Sequence, residues 1–219
     1  MIKVVCFDLD GTLVDSEEVI LRSFDKVFEV YIPEQRSKNL KDYRMHLGPI
    51  LKDTFSKFTN DDELIGDMIE LFITYYKEIE KPLIKLYPHV IDTMEYLYNN
   101  GYKICLASNK LLSSTTQSID TLGLRKYFSE IVALDRVGRG KPDPRYMYII
   151  EDVYNVSNDE ILMVGDSACD IECARNAGVK NVLCGYNDWA EEVKEETNPD
   201  YVIESFDELI NIINKINEV

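Results

Sequence analysis

The sequence predicts a doubly wound α/β domain around a parallel sheet, interrupted after its first strand by an all-helical insertion. Residues 2–7 are apolar apart from Lys3 and predict a buried first strand. Residues 16–82 then show helical periodicity without a strand, and from Pro88 onward strands and helices alternate. Such alternation is typical of a parallel sheet covered by helices on both faces.

The insertion is expected to contain several helices in succession. The first follows Ser16, a possible N-cap, because Ile20 and Phe24 recur at helical spacing beyond it. Pro82 and Pro88 bracket the end of the insertion. The other helices predicted in it lie at 38–47, 50–58 and 61–80.

The rest of the chain is expected to form the α/β domain together with the first strand. Its predicted strands lie at 103–107, 131–134, 161–164, 181–184 and 201–203. The helices predicted between and after them lie at 89–99, 112–122, 145–155, 168–177, 188–195 and from 206. The predicted domains are therefore an α/β core of residues 1–15 and 83–219 and a helical domain of residues 16–82.

Charge and composition exclude several functions. The 219 residues contain 24 Lys and Arg against 40 Asp and Glu, a net charge of -16, which repels nucleic acid and anionic membranes. The five cysteines are odd in number and lie mostly in apolar segments, as expected for reduced thiols. No apolar run approaches the length of a membrane span. We expect a cytoplasmic protein, monomeric or weakly self-associating, that binds neither nucleic acid nor membrane.

The end of the first strand carries two carboxylates, Asp8 and Asp10, followed by Gly11 and Thr12. Side chains at positions i and i+2 of an extended strand point the same way. Two carboxylates held together repel each other unless a cation or a proton sits with them. A metal bound there could hold a phosphate while one aspartate attacks it and the other moves a proton.

Three later strand ends carry complementary chemistry. In an open parallel sheet, ligands bind beyond the carboxyl ends of the strands. One hydroxyl, one lysine and a second acidic pair are expected to meet Asp8 and Asp10 at that edge. These residues are Ser108 with Asn109, Lys141 before Pro142, and Asp166 with Asp170. Because the protein repels phosphate overall, any phosphate site must carry local positive charge.

These four segments, in this order, resemble the signature motifs of the haloacid dehalogenase superfamily. The segments are Phe7-Asp8-Leu9-Asp10-Gly11-Thr12, Ser108, Lys141-Pro142, and residues 165–170. The insertion is similar to the C1-type cap of that superfamily, and we call residues 16–82 the predicted cap. The second aspartate and the Gly-Thr that follows it resemble the phosphotransferase branch rather than the dehalogenases.

The resemblance implies a role for each motif residue. Asp8 would attack phosphorus and become an aspartyl phosphate, and Asp10 would act as general acid and base. Ser108, the Asn109 amide and Lys141 would bind the phosphoryl oxygens, with Lys141 also neutralising Asp8. Thr12 is grouped with the substrate-binding residues, although it is better suited to supporting the Asp10 turn.

The resemblance also implies a Mg²⁺ cofactor. Its ligands would be Asp8, the backbone carbonyl of Asp10 and Asp166, with Asp170 steadying the site. Carboxylate and carbonyl oxygens are the hard ligands that Mg²⁺ prefers.

The cap is expected to set specificity, because caps of this superfamily close over the leaving group. The cap residues able to reach an anion or to approach it closely are Arg44, His46, Gly48 and Lys52. The segment 46–55 and Ser108-Asn109-Lys110 resemble the phosphoglycolate phosphatase and small pyrophosphatase branch. The expected substrate is a small phosphorylated metabolite, with phosphoglycolate first and pyrophosphate as the alternative.

Other functions on a similar scaffold remain open. A β-phosphoglucomutase-type enzyme carries a histidine early in its cap, where this chain reads Glu18-Val19-Ile20-Leu21-Arg22. A receiver-type signalling domain also combines a phosphorylatable aspartate with a lysine and acidic Mg²⁺ ligands. Its phosphorylated aspartate follows a later strand, however, and it has no helical insertion. A non-catalytic binding protein is a further alternative, although no essential group of the motifs is missing here.

Overall fold

A computed structural model describes residues 1–218 of the chain. They divide into two compact units, which we call the core (1–14 and 86–218) and the cap (15–85). The predicted boundaries after residue 15 and before residue 83 lie close to these. The chain crosses between the units in two short strands that the sequence did not predict, β2 (Val14–Asp15) and β3 (Lys85–Leu86), and these strands pair with each other.

The core contains the predicted parallel sheet. Its strands run in the spatial order β5-β4-β1-β6-β7-β8 and every recorded pairing is parallel. The strands are β1 (Val4–Phe7), β4 (Lys103–Ser108), β5 (Glu130–Ala133), β6 (Ile161–Gly165), β7 (Lys180–Cys184) and β8 (Tyr201–Ile203). Almost every residue of the central strands β1, β4 and β6 is buried, as expected for a sheet covered on both faces.

Helices follow the strands in the alternation that the sequence indicates. They are α4 (Val90–Asn99), α5 (Leu112–Thr121), α6 (Leu134–Val137), α7 (Arg145–Tyr154), α8 (Ala168–Asn176), α9 (Ala190–Thr197) and α10 (Glu208–Asn217). The short helix α6 was not predicted, because four residues are too few to show a helical period. Across residues 1–218, no helix is both long enough and apolar enough to cross a membrane.

The two faces of β1 pack against different helical layers. Val4 and Cys6 lie in a fully buried cluster with residues of α7 and α8, including Tyr146 and Cys173. On the opposite face, the ring of Phe7 contacts Phe206, just before α10, at a centroid distance of 5.7 Å. Burial on both faces holds β1 rigidly, so the residues that follow it start from a fixed point.

The order of the strands creates a switch point beside β1. From β1 the chain moves to β4 and β5 on one side, then crosses back to β6, which pairs with the other edge of β1. Ligands bind at such reversals in open α/β sheets, beyond the carboxyl ends of the strands.

The cap is helical as predicted, with differences in detail. It consists of α1 (Glu17–Tyr31), α2 (Leu51–Phe55), α3 (Asp62–Leu83) and two 3₁₀ stretches, Pro33–Gln35 and Leu40–His46. The helical stretch predicted at 38–47 is present as a 3₁₀ helix. The buried residues of that segment, Tyr43 and His46, are three positions apart, and a 3₁₀ helix places such residues on one face.

The other two predicted cap helices differ from the observed ones in length. The helix predicted at 50–58 is shortened to α2, and the helix predicted at 61–80 extends through Pro82 to residue 83. Pro82 has no backbone N–H to bond the carbonyl four residues earlier, and the helix ends one residue beyond it, at Leu83.

An aromatic cluster forms the centre of the cap. The ring of Phe24 in α1 lies 4.8 Å from Phe72 and 5.9 Å from Phe55, and Phe28 stacks on Tyr43 at 5.0 Å. His46 belongs to this cluster: its side chain is buried and its ring lies 5.4 Å from that of Phe24. Among residues 1–218, the His46 Nδ1 has no hydrogen-bond partner.

Burial lowers the pKa of His46 below its ordinary value of 6.5, and the positive charge of Lys57 adds to the effect. The unfolded chain therefore binds a proton more readily than the folded cap does, and stability must fall as the pH drops through this range. We predict that, as the pH is lowered from about 7.5 to about 5.5, the free energy of unfolding falls less in His46→Met than in wild type. Urea unfolding at each pH measures the difference.

The control is His89→Asn, at the other histidine of the chain, which is exposed and lies in a left-handed conformation that asparagine tolerates. Equal acid sensitivity of wild type and His46→Met would contradict the prediction.

Candidate active site

Three adjacent strands bring the first site residues together. In the sheet register Phe7 lies beside Leu106 on β4 and beside Val164 on β6. Asp8 directly follows β1, Ser108 ends β4 and Asp166 directly follows β6. All three are buried. Asp8 is therefore brought near Ser108 and Asp166, which lie 100 and 158 positions later in the chain, because their strands are neighbours.

Lys141 connects these strand ends. Its Nζ donates to Asp8 Oδ1 at 2.7 Å, to Asp170 Oδ1 at 2.5 Å and to the carbonyl oxygen of Ala107 at 2.7 Å. An ammonium has three donors, and all three are used. The side chain is 3% exposed, so its charge is held away from water between the two carboxylates.

The segment that carries Lys141 is fixed by Asn109. The side-chain oxygen of Asn109 accepts from the backbone N–H of Lys141 at 2.8 Å and from the hydroxyl of Tyr146 at 3.1 Å. The Oγ of Ser108, two residues before Lys110, accepts from the Lys110 N–H at 3.2 Å. The Asn109 side chain thus positions the Lys141 segment, and the phosphate contact expected of the Asn109 amide stays a prediction.

Asp170 is held by the start of α8. Its Oδ2 accepts from the backbone N–H of Ser167 at 3.1 Å and from the Ser167 hydroxyl at 2.6 Å, within a capping box. Its other oxygen faces Lys141. The structure therefore brings Asp170 to the site mainly as the partner of the lysine, with both of its oxygens occupied by donors.

Asp166 lies against the turn that follows Asp10. Its Oδ1 accepts from the hydroxyl of Thr12 at 3.0 Å and its Oδ2 from the indole N–H of Trp189 at 3.2 Å. The Thr12 hydroxyl thus holds Asp166, and the support of the Asp10 turn expected of Thr12 stays a prediction. Gly11 has a φ of +80°, and a Cβ there would lie 2.1 Å from Asp166 Oδ2. The turn therefore requires glycine for two reasons, its left-handed backbone and this close approach.

Burial dominates the electrostatics of the cluster. It raises the pKa of Asp8 to about 7, with Asp170 adding to the rise and Lys141 opposing it. Burial, together with Asp170 and Asp8, also raises the pKa of Asp166 well above its usual value. Burial alone would lower the pKa of Lys141, but Asp170 and Asp8 raise it well above the ordinary range.

These carboxylates fit a hard divalent cation. Asp8, Asp166 and Asp170 each offer an oxygen within 4.8 Å of the others, and all three are buried. When all three carboxylates are ionised, they exceed the one ammonium by two negative charges in a site shielded from water. Mg²⁺ binds such oxygen ligands and would neutralise that excess.

Asp10 forms an ion pair with Lys110, a residue for which no role was predicted from the sequence. The Nζ of Lys110 lies 3.1 Å from Asp10 Oδ2 and 3.3 Å from the Oγ of Ser118 on α5. Each aspartate of the Asp8/Asp10 pair is thus matched by a different lysine. Lys110 could have been identified in the sequence by its position, two residues beyond Ser108 at the end of β4.

The four cap residues predicted to reach or approach the substrate each lie in a different environment. Arg44 pairs with Glu17 at the start of α1, and Lys52 lies 3.6 Å from Asp62 on the surface. Gly48 has a φ of +95°, which few other residues adopt. His46 is enclosed in the aromatic cluster of the cap, a surrounding that favours a structural role over contact with substrate.

Comparison with known proteins supports one family. Residues 5–184 match the profile of the family described as haloacid dehalogenase-like hydrolase. Proteins named pyrophosphatase PpaX from Halalkalibacterium halodurans and Bacillus pumilus are each 32% identical to this chain over 212 residues. The alignments cover 97% of this chain and 97% and 96% of those proteins, respectively.

Solved structures share the fold over the full length. A predicted phosphatase from Clostridium acetobutylicum is 25% identical, with a TM-score of 0.86, and the alignment covers 98% of this chain and 99% of that one. A predicted phosphoglycolate phosphatase from Haemophilus somnus is 24% identical, with a TM-score of 0.83 and coverage of 97% and 98%. The motif residues at three strand ends, the profile match and these alignments agree, and the chain belongs to the haloacid dehalogenase-like hydrolase family.

Proposed function

We propose that this protein is a Mg²⁺-dependent phosphatase that hydrolyses a small phosphate anhydride or ester through an aspartyl phosphate on Asp8. The observation that carries the proposal is the buried group of three carboxylates, Asp8, Asp166 and Asp170, with Lys141 between two of them. A nucleophile, a fixed cation and a metal-ligand set of this kind are what phosphoryl transfer requires.

In the first step, a carboxylate oxygen of Asp8 attacks phosphorus. A bond forms between that oxygen and phosphorus, and the bond from phosphorus to the leaving oxygen breaks. Asp10, in the turn after Asp8, gives a proton to the leaving oxygen. The product of this step is a mixed anhydride of Asp8 and phosphate.

In the second step, water attacks the phosphorus of that anhydride. Asp10 takes a proton from the water, the bond from phosphorus to Asp8 breaks, and inorganic phosphate leaves. Asp8 returns as a carboxylate beside Lys141. Two attacks on phosphorus thus replace one difficult hydrolysis.

The other residues hold charge and geometry. Lys141 holds a positive charge beside Asp8, where the phosphoryl oxygens gain negative charge, and its hydrogen bonds fix it before the substrate arrives. In this proposal the hydroxyl of Ser108 and the Asn109 amide donate to those oxygens. Asp8 and Asp166 would hold Mg²⁺, which would supply positive charge that offsets the repulsion between these carboxylates and the phosphate. Thr12 keeps Asp166 oriented through its hydroxyl.

For the substrate, we place inorganic pyrophosphate first and phosphoglycolate second. This order differs from the expectation drawn from the sequence, which placed phosphoglycolate first. The change rests on the relatives named pyrophosphatase PpaX, which are 32% identical over 97% of this chain. Lys110 beside Asp10 also places positive charge near the leaving group, which is itself a phosphate when pyrophosphate is hydrolysed.

The test of the proposed function is phosphate release from pyrophosphate, phosphoglycolate, sugar phosphates and nucleotides, with Mg²⁺ or with EDTA. We predict Mg²⁺-dependent release that Asp8→Asn abolishes, because asparagine keeps the shape of aspartate but lacks its nucleophilic oxygen. The ratio kcat/KM ranks the substrates. Asp152→Asn, an exposed position on α7, serves as the control and should retain wild-type activity.

Phosphate release that persists in Asp8→Asn would show that Asp8 is not the nucleophile. Efficient conversion of a sugar 1-phosphate to its 6-phosphate with little phosphate release would favour the mutase alternative.

We predict that Lys110→Met lowers kcat/KM for pyrophosphate by about 10²-fold, the usual effect of removing one fixed donor or charge. The loss should be smaller for a monoester whose leaving group carries less charge. Lys126→Met removes an exposed lysine 3.6 Å from Glu95 and serves as the matched control. Equal losses for both substrates would contradict a role at the leaving group.

Gly11→Ala should lower activity about 10²-fold, because the new Cβ must displace Asp166 from its place over the turn. The matched control is Gly101→Ala, since Gly101 has a similar φ of +82° but nothing within 4 Å of its added Cβ. Both variants carry the backbone strain, so thermal unfolding should show similar losses of stability from that source. Wild-type activity of Gly11→Ala would mean that the close approach to Asp166 is not required.

A further inference from the structure

The loop between β7 and α9 makes contacts that the family motifs do not include. The hydroxyl of Tyr186 donates to the carbonyl oxygen of Thr12, and the side-chain N–H of Asn187 donates to the carbonyl oxygen of Gly11 at 2.8 Å. The indole N–H of Trp189 donates to Asp166 at 3.2 Å. We call residues 186–189 the Trp189 loop. It contacts both the turn that carries Asp10 and the acidic residue after β6.

The Trp189 loop is itself held in place by the core. The ring of Tyr186 lies 4.7 Å from that of Tyr87, and the Tyr87 hydroxyl donates to Asn187 Oδ1 at 2.7 Å. Trp189 is half-buried at the start of α9. A tryptophan in such a position presents its N–H from a bulky ring that has little freedom to move.

Asp166 depends on donors from two different elements. Its Oδ1 faces the Thr12 hydroxyl, and its Oδ2 faces the Trp189 indole. Its position over Gly11 leaves the carboxylate close to the turn, with no side chain of residue 11 to restrain it. Each carboxylate oxygen has two lone pairs, so an oxygen that accepts a hydrogen bond can still bind a cation.

We propose that Trp189 is a positioning residue that orients Asp166 as a Mg²⁺ ligand. The inference rests on the Mg²⁺ site of the proposed function. Hydrogen-bond donors behind a metal ligand fix its orientation, and their removal commonly weakens metal affinity by 10-fold to 100-fold. Trp189 supplies such a donor from an element that carries no catalytic motif.

A purely structural role for Trp189 makes a different prediction. If the ring served only as packing, an aromatic replacement without the N–H would leave Mg²⁺ affinity unchanged. Trp189→Phe is that replacement. Trp189→His provides the complementary variant, because its Nε2 occupies the ring position equivalent to the indole nitrogen and can donate.

The first measurement is Mg²⁺ binding by isothermal titration calorimetry in the absence of substrate. Trp189→Phe should bind Mg²⁺ about 10-fold more weakly than wild type, and Trp189→His should recover most of that loss. Tyr148→Phe, at a half-exposed tyrosine of α7, is the control and should bind as wild type does. Circular dichroism confirms that each variant is folded.

A second measurement uses the intact protein and no variant of the loop. Trp189 is the only tryptophan of the chain, so intrinsic tryptophan fluorescence reports on this residue alone. Mg²⁺ should change the emission of wild type, because the carboxylate that accepts from the indole gains a cation. Asp166→Asn should abolish the change.

The outcomes separate this inference from the proposed function. Absence of Mg²⁺ binding by wild type would overturn the proposed metal site and the inference together. Binding by wild type that Trp189→Phe leaves unchanged, or that alters no tryptophan emission, would overturn the inference alone.

Discussion

The rest of the site depends on the three hydrogen bonds that the buried ammonium of Lys141 donates. It joins the end of β1 through Asp8, the end of β4 through Ala107 and the start of α8 through Asp170. Removing one member of a buried ion pair commonly costs about 3–5 kcal/mol, because the other charge remains desolvated. Each of the three elements therefore constrains the other two, and Asp8 is held in a fixed position.

This arrangement carries a large electrostatic cost that only function explains. Asp8, Asp166 and Asp170 are buried together, and a single lysine cannot balance them. A fold selected for stability alone would place apolar residues here, since well-packed hydrophobic groups often replace buried ion pairs without loss. The raised pKa values of Asp8 and Asp166 express the same cost. Perturbed groups of this kind cluster at functional sites.

Supporting residues of the site come from elements outside the motifs. Asn109 fixes the Lys141 segment through its side-chain oxygen, and the loop after β7 holds the turn at Gly11. The cap, in contrast, has an independent aromatic centre around Phe24 and Phe28.

Periodicity and short-range spacing were enough to predict the sheet, its helices and the helical insertion, because these follow from local patterns of apolar residues. The motif residues Asp8 and Asp166 could be chosen for the same reason, because each directly follows a strand whose end is marked in the sequence. Lys141 could be chosen because it precedes Pro142 in the loop before a predicted helix. The type of the 3₁₀ stretch at Leu40–His46 could not be predicted, since three-residue and four-residue spacings overlap in so short a segment.

The sequence by itself determined the α/β class, the helical insertion and which residue types stand at the strand ends. Only the tertiary structure decided their partners: Lys110 for Asp10, Trp189 for Asp166 and the aromatic cluster for His46. The physical reason is that local patterns follow from interactions within a few residues. Partnership between side chains far apart in the chain depends on strand order and on the path of loops in space.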